Sequence, residues 1–244
     1  MTSYPRVMFV HGLESGPSGD KVQQLRAAGV DVSAADMRMS LKRLDRHHSV
    51  MRNILRSPEV HMAAAGAAAM VGAGLLRKKM WPVALAGVGI GAWWTARGEE
   101  VTRQAVCTSY EQCVEVQRRM LATFKPDVVL GSSWGGAITL ELMLRGHWKG
   151  PAVLLAPAFH AAHRRMGLDA AARLEGFDGA SRTLIFHDPS DDTVPLADSE
   201  RLSAQTGTEL RAVSAGGHRL MGLLTDGQLT GALKQVGELA QVAG

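Results

Sequence analysis

Gly131-Ser132-Ser133-Trp134-Gly135-Gly136 leaves the backbone few paths to follow. It comes after the apolar run Asp127-Val128-Val129-Leu130 and before the helix-like run Ala137 to Leu144, so the chain must pass from strand to helix within a handful of residues. In such a turn the central residue is held in strained geometry. The positions two before and two after it must then be nearly free of side chain for strand and helix to approach. Ser133 has glycine at both offsets and Ser132 at neither. Ser133 is therefore read as the nucleophile of a strand-to-helix elbow, and Ser132 as a small neighbour.

Strand-like runs begin near Arg6, Val30, Asp127, Ala152, Arg182 and Glu209 and alternate with helix-like runs. Repeated strand-then-helix units predict an α/β fold, a mostly parallel sheet of about six strands with helices on both faces and right-handed connections. Reactive groups then collect at the carboxyl ends of the strands. At 244 residues the chain is long enough to bury a core as one domain, 1–244, with residues 41–101 as a helical insertion.

A serine hydroxyl is a weak nucleophile until a base takes its proton, and the base needs a third group to fix its tautomer and orientation. An elbow of this type takes its partners in the chain order serine, acid, histidine. The run Ser181 to His187 reads as a buried strand opening into Asp188-Pro189-Ser190-Asp191-Asp192-Thr193-Val194-Pro195. Asp191 fits best as the acid, shortly before the Val-Pro pair that starts the next helix. Asp192 is the runner-up, and Asp188 is read as a turn cap. The last strand, Glu209 to Val213, leads into Ser214-Ala215-Gly216-Gly217-His218. Of nine histidines His218 alone lies beyond the acid loop, and the glycine pair lets that loop bend the imidazole over the strand ends.

Acyl transfer also needs two backbone N–H groups aimed at the developing oxyanion. Trp134, next to the nucleophile, is one candidate. Leu13 is the other, on the loop His11-Gly12-Leu13-Glu14-Ser15-Gly16-Pro17-Ser18-Gly19 after the first strand, with His11 and Gly12 shaping the loop. That loop lacks the spacing of a phosphate cradle or a dinucleotide turn, so no nucleotide and no other cofactor is expected.

Together, His11-Gly12, the Gly131 to Gly136 elbow, Asp191 with Val194-Pro195, and Gly217-His218 resemble the serine α/β-hydrolase superfamily. The His11 to Pro17 loop with Lys21, the Gly-Ser-Ser-x-Gly-Gly elbow and the Gly-Gly-His ending are similar to the small bacterial YqiA-like esterases. The resemblance spans about residues 5–40 and 105–240 and implies ester or thioester hydrolysis of a small-molecule acyl substrate. A rival of another class is a membrane-anchored binding or scaffold protein that keeps this fold without turnover. The chain departs from the resemblance at its long insertion.

Within that insertion, Leu41 to Glu59 is polar and basic, and the adjacent His47 and His48 point apart on a helix, so no metal site is read there. Two Ala- and Gly-rich stretches follow, Met62 to Leu76 and Met80 to Ala96, joined by Arg77-Lys78-Lys79. A 15-residue helix rises about 22 Å against a bilayer core of about 30 Å, so the first is short for a span and the second, of 17 residues, is at the limit. Small residues four apart (Ala65, Ala69, Ala73; Gly87, Gly91) predict a close-packed apolar helical hairpin, and Trp81, Trp93 and Trp94 stand where interfacial anchors would. Membrane contact is one reading of Met62 to Ala96; a lid or a homodimer contact is the other. An apolar hairpin would also suit a lipid-like acyl chain. After the fourth strand, Phe159 to Gly179 reads as a short lid region whose His160, His163, Arg164 and Arg165 form a solvated face.

The formal net charge is +4, but the basic residues are scattered and aromatics make up only 5%, which argues against a nucleic-acid surface. Met1-Thr2-Ser3-Tyr4-Pro5 enters the first strand without a basic and apolar leader, so no secretory signal is expected. Cys107 and Cys113, six apart on one predicted helix, suit neither a local disulfide nor a metal, and a cytoplasmic location follows as the expectation.

Overall fold

A computed structural model describes residues 4–242, so Met1 to Ser3 of the segment read above for a leader lie outside it. Six strands, β1 (Val7–Val10), β2 (Val32–Ser33), β3 (Val128–Ser132), β4 (Ala152–Leu155), β5 (Thr183–His187) and β6 (Glu209–Ala212), form one sheet in the order β2-β1-β3-β4-β5-β6. Every pairing is parallel. The four central strands are buried along their whole length, which is why they read as near-continuous Val, Leu and Ile runs. β6 closes one edge and keeps Glu209 in the open, a charge that discourages further strand pairing.

The described helices are α1 (Asp20–Ala27), α2 (Val50–Arg56), α3 (Pro58–Leu76), α4 (Trp81–Phe124), α5 (Trp134–Leu144), α6 (Phe159–Met166), α7 (Ala170–Leu174), α8 (Leu196–Thr206), α9 (Gly222–Thr225) and α10 (Gln228–Val242). Alternate strand residues Val7, Phe9, Val128, Leu130, Val153, Leu155, Leu184 and Phe186 pack with Leu25 of α1 and Leu229, Leu233 and Val236 of α10. The intervening residues point to the opposite face of the sheet. α5 is buried from Trp134 to Met143, yet none of its residues joins that first cluster.

The chain divides into two compact units, one made of the segments up to Arg38 and from Gln112 onward, the other of Met39–Glu111. In the second unit Ser57 caps α3 by accepting a hydrogen bond from Val60 N–H at 3.3 Å, with Pro58 in the first turn. Arg97 reaches Glu59 at 3.3 Å, and Gly74 packs closely on Pro82 and Val83, so α3 and the start of α4 run antiparallel.

Three expectations need correction here. The first apolar arm starts at Pro58, not Met62, and its 19 residues make it the one helix among those described that is long and apolar enough to cross a membrane. The second arm does not end at Ala96: α4 is 44 residues long and runs on to Phe124. What changes at Arg97 is polarity, not helix-forming tendency, because no proline follows and the Trp94 ring packs over Gly98. Lastly, Phe159 to Gly179 is only partly a solvated face. His160 and His163 are buried on α6, and burial lowers both pKa values. Arg164 grips the buried Asp198 through two hydrogen bonds at 3.1 and 2.9 Å.

Candidate active site

Ser133 joins β3 to α5 at φ 55°, ψ −118°, a left-handed conformation that costs a non-glycine residue about 1–3 kcal/mol. The surroundings hold it there. Ser133 N–H donates to Leu155 O at 2.8 Å, while its carbonyl accepts from Gly136 and Ala158 at 2.9 and 3.0 Å. The need for glycine at both offsets is steric. A Cβ on Gly131 would come within 2.5 Å of Thr139 Oγ1, and one on Gly135 within 2.0 Å of Val10 O on the neighbouring β1. Ser132 ends β3 and is buried.

The three residues named from the sequence converge at the carboxyl end of the sheet. Ser133 Oγ donates to His218 Nε2 at 3.0 Å, and His218 Nδ1 donates to Asp191 Oδ2 at 2.7 Å. A carboxylate only accepts, so the proton belongs on Nδ1 and leaves Nε2 as the base. Asp191 is itself fixed: its Oδ1 accepts from Thr193 and Val194 N–H at 2.8 and 2.9 Å, and its side chain is fully buried. Asp192, one residue on, is exposed and, among the described residues, accepts only from the Thr193 hydroxyl. The bend that delivers the imidazole passes through Gly216 and Gly217, at φ 90° and 65°.

Two groups beneath this relay escaped the sequence reading. Asp188 is more than a turn cap. Its Oδ1 accepts from the Ser190 hydroxyl and N–H at 2.7 and 2.8 Å, and its Oδ2 from Ala215 and Gly217 N–H at 2.6 and 2.9 Å. It thereby ties the acid loop to the histidine loop. The Ser190 hydroxyl first, then the Ser190, Ala215 and Gly217 N–H groups, hold its pKa well below the usual carboxylate range despite burial. His187, the last residue of β5, is fully buried with Nδ1 2.7 Å from Ser199 Oγ and Nε2 2.9 Å from Val194 O, which pins the segment carrying Asp191.

β1 is hydrogen-bonded to β3, so the loop after β1 lies beside the elbow. His11 is buried there, with Nδ1–H directed to Gly12 O at 2.9 Å and Nε2 accepting from Met37 N–H at 3.1 Å. Both ring nitrogens are thus engaged in shaping the loop. Leu13 N–H has no acceptor among the described residues. Trp134 opens α5, where first-turn N–H groups point out of the helix end. Leu13, Ser133, Thr193 and His218 line one cavity of about 290 Å³. Among the described residues no group of three or more His, Cys, Asp or Glu is placed to hold a metal ion. Cys113 is buried, which drives its thiol pKa up to about 12.

Neither a protein-family model nor a curated protein matches the chain in sequence. Solved structures do match in shape. Est1E from Butyrivibrio proteoclasticus is 12% identical with a TM-score of 0.55, covering 99% of this chain and 90% of that one. TT1662 from Thermus thermophilus is 15% identical with a TM-score of 0.58, covering 97% and 90%. The ydeN gene product from B. subtilis is 13% identical with a TM-score of 0.50, covering 94% and 97%. The chain has the α/β-hydrolase fold.

Proposed function

We propose that this protein is a serine hydrolase that cleaves a carboxylic ester or thioester through an acyl-enzyme. The observation that carries the reading is the unbroken relay Ser133 to His218 to Asp191, at 3.0 and 2.7 Å, on an elbow with φ 55°. His218 Nε2 takes the Ser133 proton as Oγ attacks the carbonyl carbon, and Asp191 stabilises the imidazolium that forms. Leu13 and Trp134 N–H groups hold the oxyanion. His218 then protonates the departing alcohol or thiol, and the same base activates water to release the acid and regenerate Ser133 Oγ–H. Est1E, whose fold this chain shares, has been solved with ferulic acid bound, so an aromatic acyl ester is one substrate to test on this protein.

The cavity, at about 290 Å³, falls at the small end of ligand pockets, roughly 300–1,000 Å³. That size favours a short acyl group over a lipid-like chain. A fluorophosphonate probe tests the reading, since only an activated serine reacts. Labelling is expected in the intact protein and in Ser132→Ala, and is expected to vanish in Ser133→Ala. An intact protein that stays unlabelled and turns over no ester would leave the inactive scaffold as the better description.

The second unit supports a separate proposal, contact with an anionic membrane surface. Of the 19 residues of α3 only Gly74 is buried; Met62, Leu75, Leu76, Met80 and Trp81 are exposed, and Arg77, Lys78 and Lys79 stand at the turn between the arms. Apolar side chains flanked by lysine, arginine and tryptophan match the chemistry of a bilayer interface.

A further inference from the structure

The cavity beside Ser133 is lined by three charged groups that acyl transfer does not use, Asp20, Lys21 and Arg219. Lys21, the second residue of α1, lines it with Ser133, His218, Leu13 and Arg219. Burial first, and the nearby Arg219 guanidinium second, bring the Lys21 pKa down to about 8 against a weaker pull from Asp20. Among the described residues the Lys21 ammonium makes no hydrogen bond or close ion pair. Asp20, which also lines the cavity, is engaged by Arg219. Lys21, Arg219 and Asp20 together leave the lining one positive charge in excess. A cation drawn out of water without a counter-charge costs free energy, and an anion brought beside it recovers that cost. Substrate is the species that enters this cavity.

We infer that the Ser133 cavity selects an ester or thioester bearing an anionic group, a carboxylate or a phosphate, within reach of Lys21. This rests on the acyl-transfer reading of Ser133 and narrows its substrate class. The anion belongs to either the acyl or the leaving part, and two matched pairs separate these sources. Para-nitrophenyl hydrogen glutarate against para-nitrophenyl pentanoate places a carboxylate on the acyl side. S-acetyl pantetheine with and without its terminal phosphate places the anion on the leaving side.

In at least one pair the anionic member is expected to have a kcat/KM about tenfold or more above its neutral partner, mostly through KM, on the scale of one charge-assisted hydrogen bond. In Lys21→Met that ratio is expected to fall to within about twofold of unity, and in Lys21→Arg to return in large part, which separates loss of charge from loss of folding. Turnover of both pairs without preference for the anion overturns this inference alone, as does a preference that Lys21→Met leaves intact. Failure to turn over any of the four substrates overturns the acyl-transfer reading and this inference with it.

Discussion

At the residue scale the site separates groups that touch the reacting atoms from groups that hold them. Asp191→Asn preserves shape but lets His218 adopt the wrong tautomer, and kcat is expected to fall by a factor of about 10⁴. Asp192→Asn, which alters an exposed carboxylate outside the relay, is expected to leave kcat within about threefold. Asp188→Ala removes the acceptor for Ala215 and Gly217 N–H and so loosens the loop under His218. It is expected to lower kcat much more than it raises KM, with Asp188→Asn recovering part of the loss. Equal loss in both terms would contradict a positioning role. That Ser133, His218 and Asp191 would meet could be read from the chain because order and glycine spacing are local. Asp188 and His187 could not, because their partners lie up to 29 residues away and nothing in a turn rich in Asp, Ser and Pro reports them.

At the element scale the elbow is specified by what cannot fit. Gly135→Ala drives a Cβ into the Val10 carbonyl, an overpacking cost of about 2–3 kcal/mol that is expected to lower Tm by roughly 5–10 °C. Gly231→Ala in α10, where nothing lies within 4 Å of the added carbon, is expected to raise stability by up to about 1 kcal/mol. Thermal unfolding of the two variants checks the pair, and equal shifts would contradict the steric account. The strands and this elbow were legible because apolar runs and glycine offsets are local signals. The length of α4 was not, since a shift in composition at Arg97 imitates an element boundary. For the exposed arms, flotation with anionic vesicles is expected, and it should persist in high salt because apolar burial is not screened as charge attraction is. A protein that stays unbound, whether as a dimer or as a monomer, would contradict membrane contact.

At the scale of the whole molecule, parallel topology brings loops distant in sequence to one end of the sheet, and the buried charges set how the fold responds to acid. His160 and His163 have pKa values lowered by burial, so the unfolded chain binds protons more readily than the native one. Their contribution is fully present above the unfolded value of about 6.5 and is lost as pH falls through and below it. Asp188, also lowered, adds stability that is present above about pH 4 and lost as pH falls further. Tm is therefore expected to be level between about pH 7 and 8 and to decline from about 6.5 downward. A flat profile down to about pH 5 would contradict the buried-histidine account. The alternation of strands and helices made the sheet legible from sequence, whereas the inward face of α6 was hidden because His160 and His163 read as part of a basic cluster.

The covalent step can be observed directly. Protein mixed with an activated short-chain ester, quenched in acid within the first turnover and digested, is expected to yield the peptide containing Ser133 with the acyl mass on that residue, and none in Ser133→Ala. Turnover with the acyl group on Ser132, or with no acylated peptide at any quench time, would contradict Ser133 as the nucleophile.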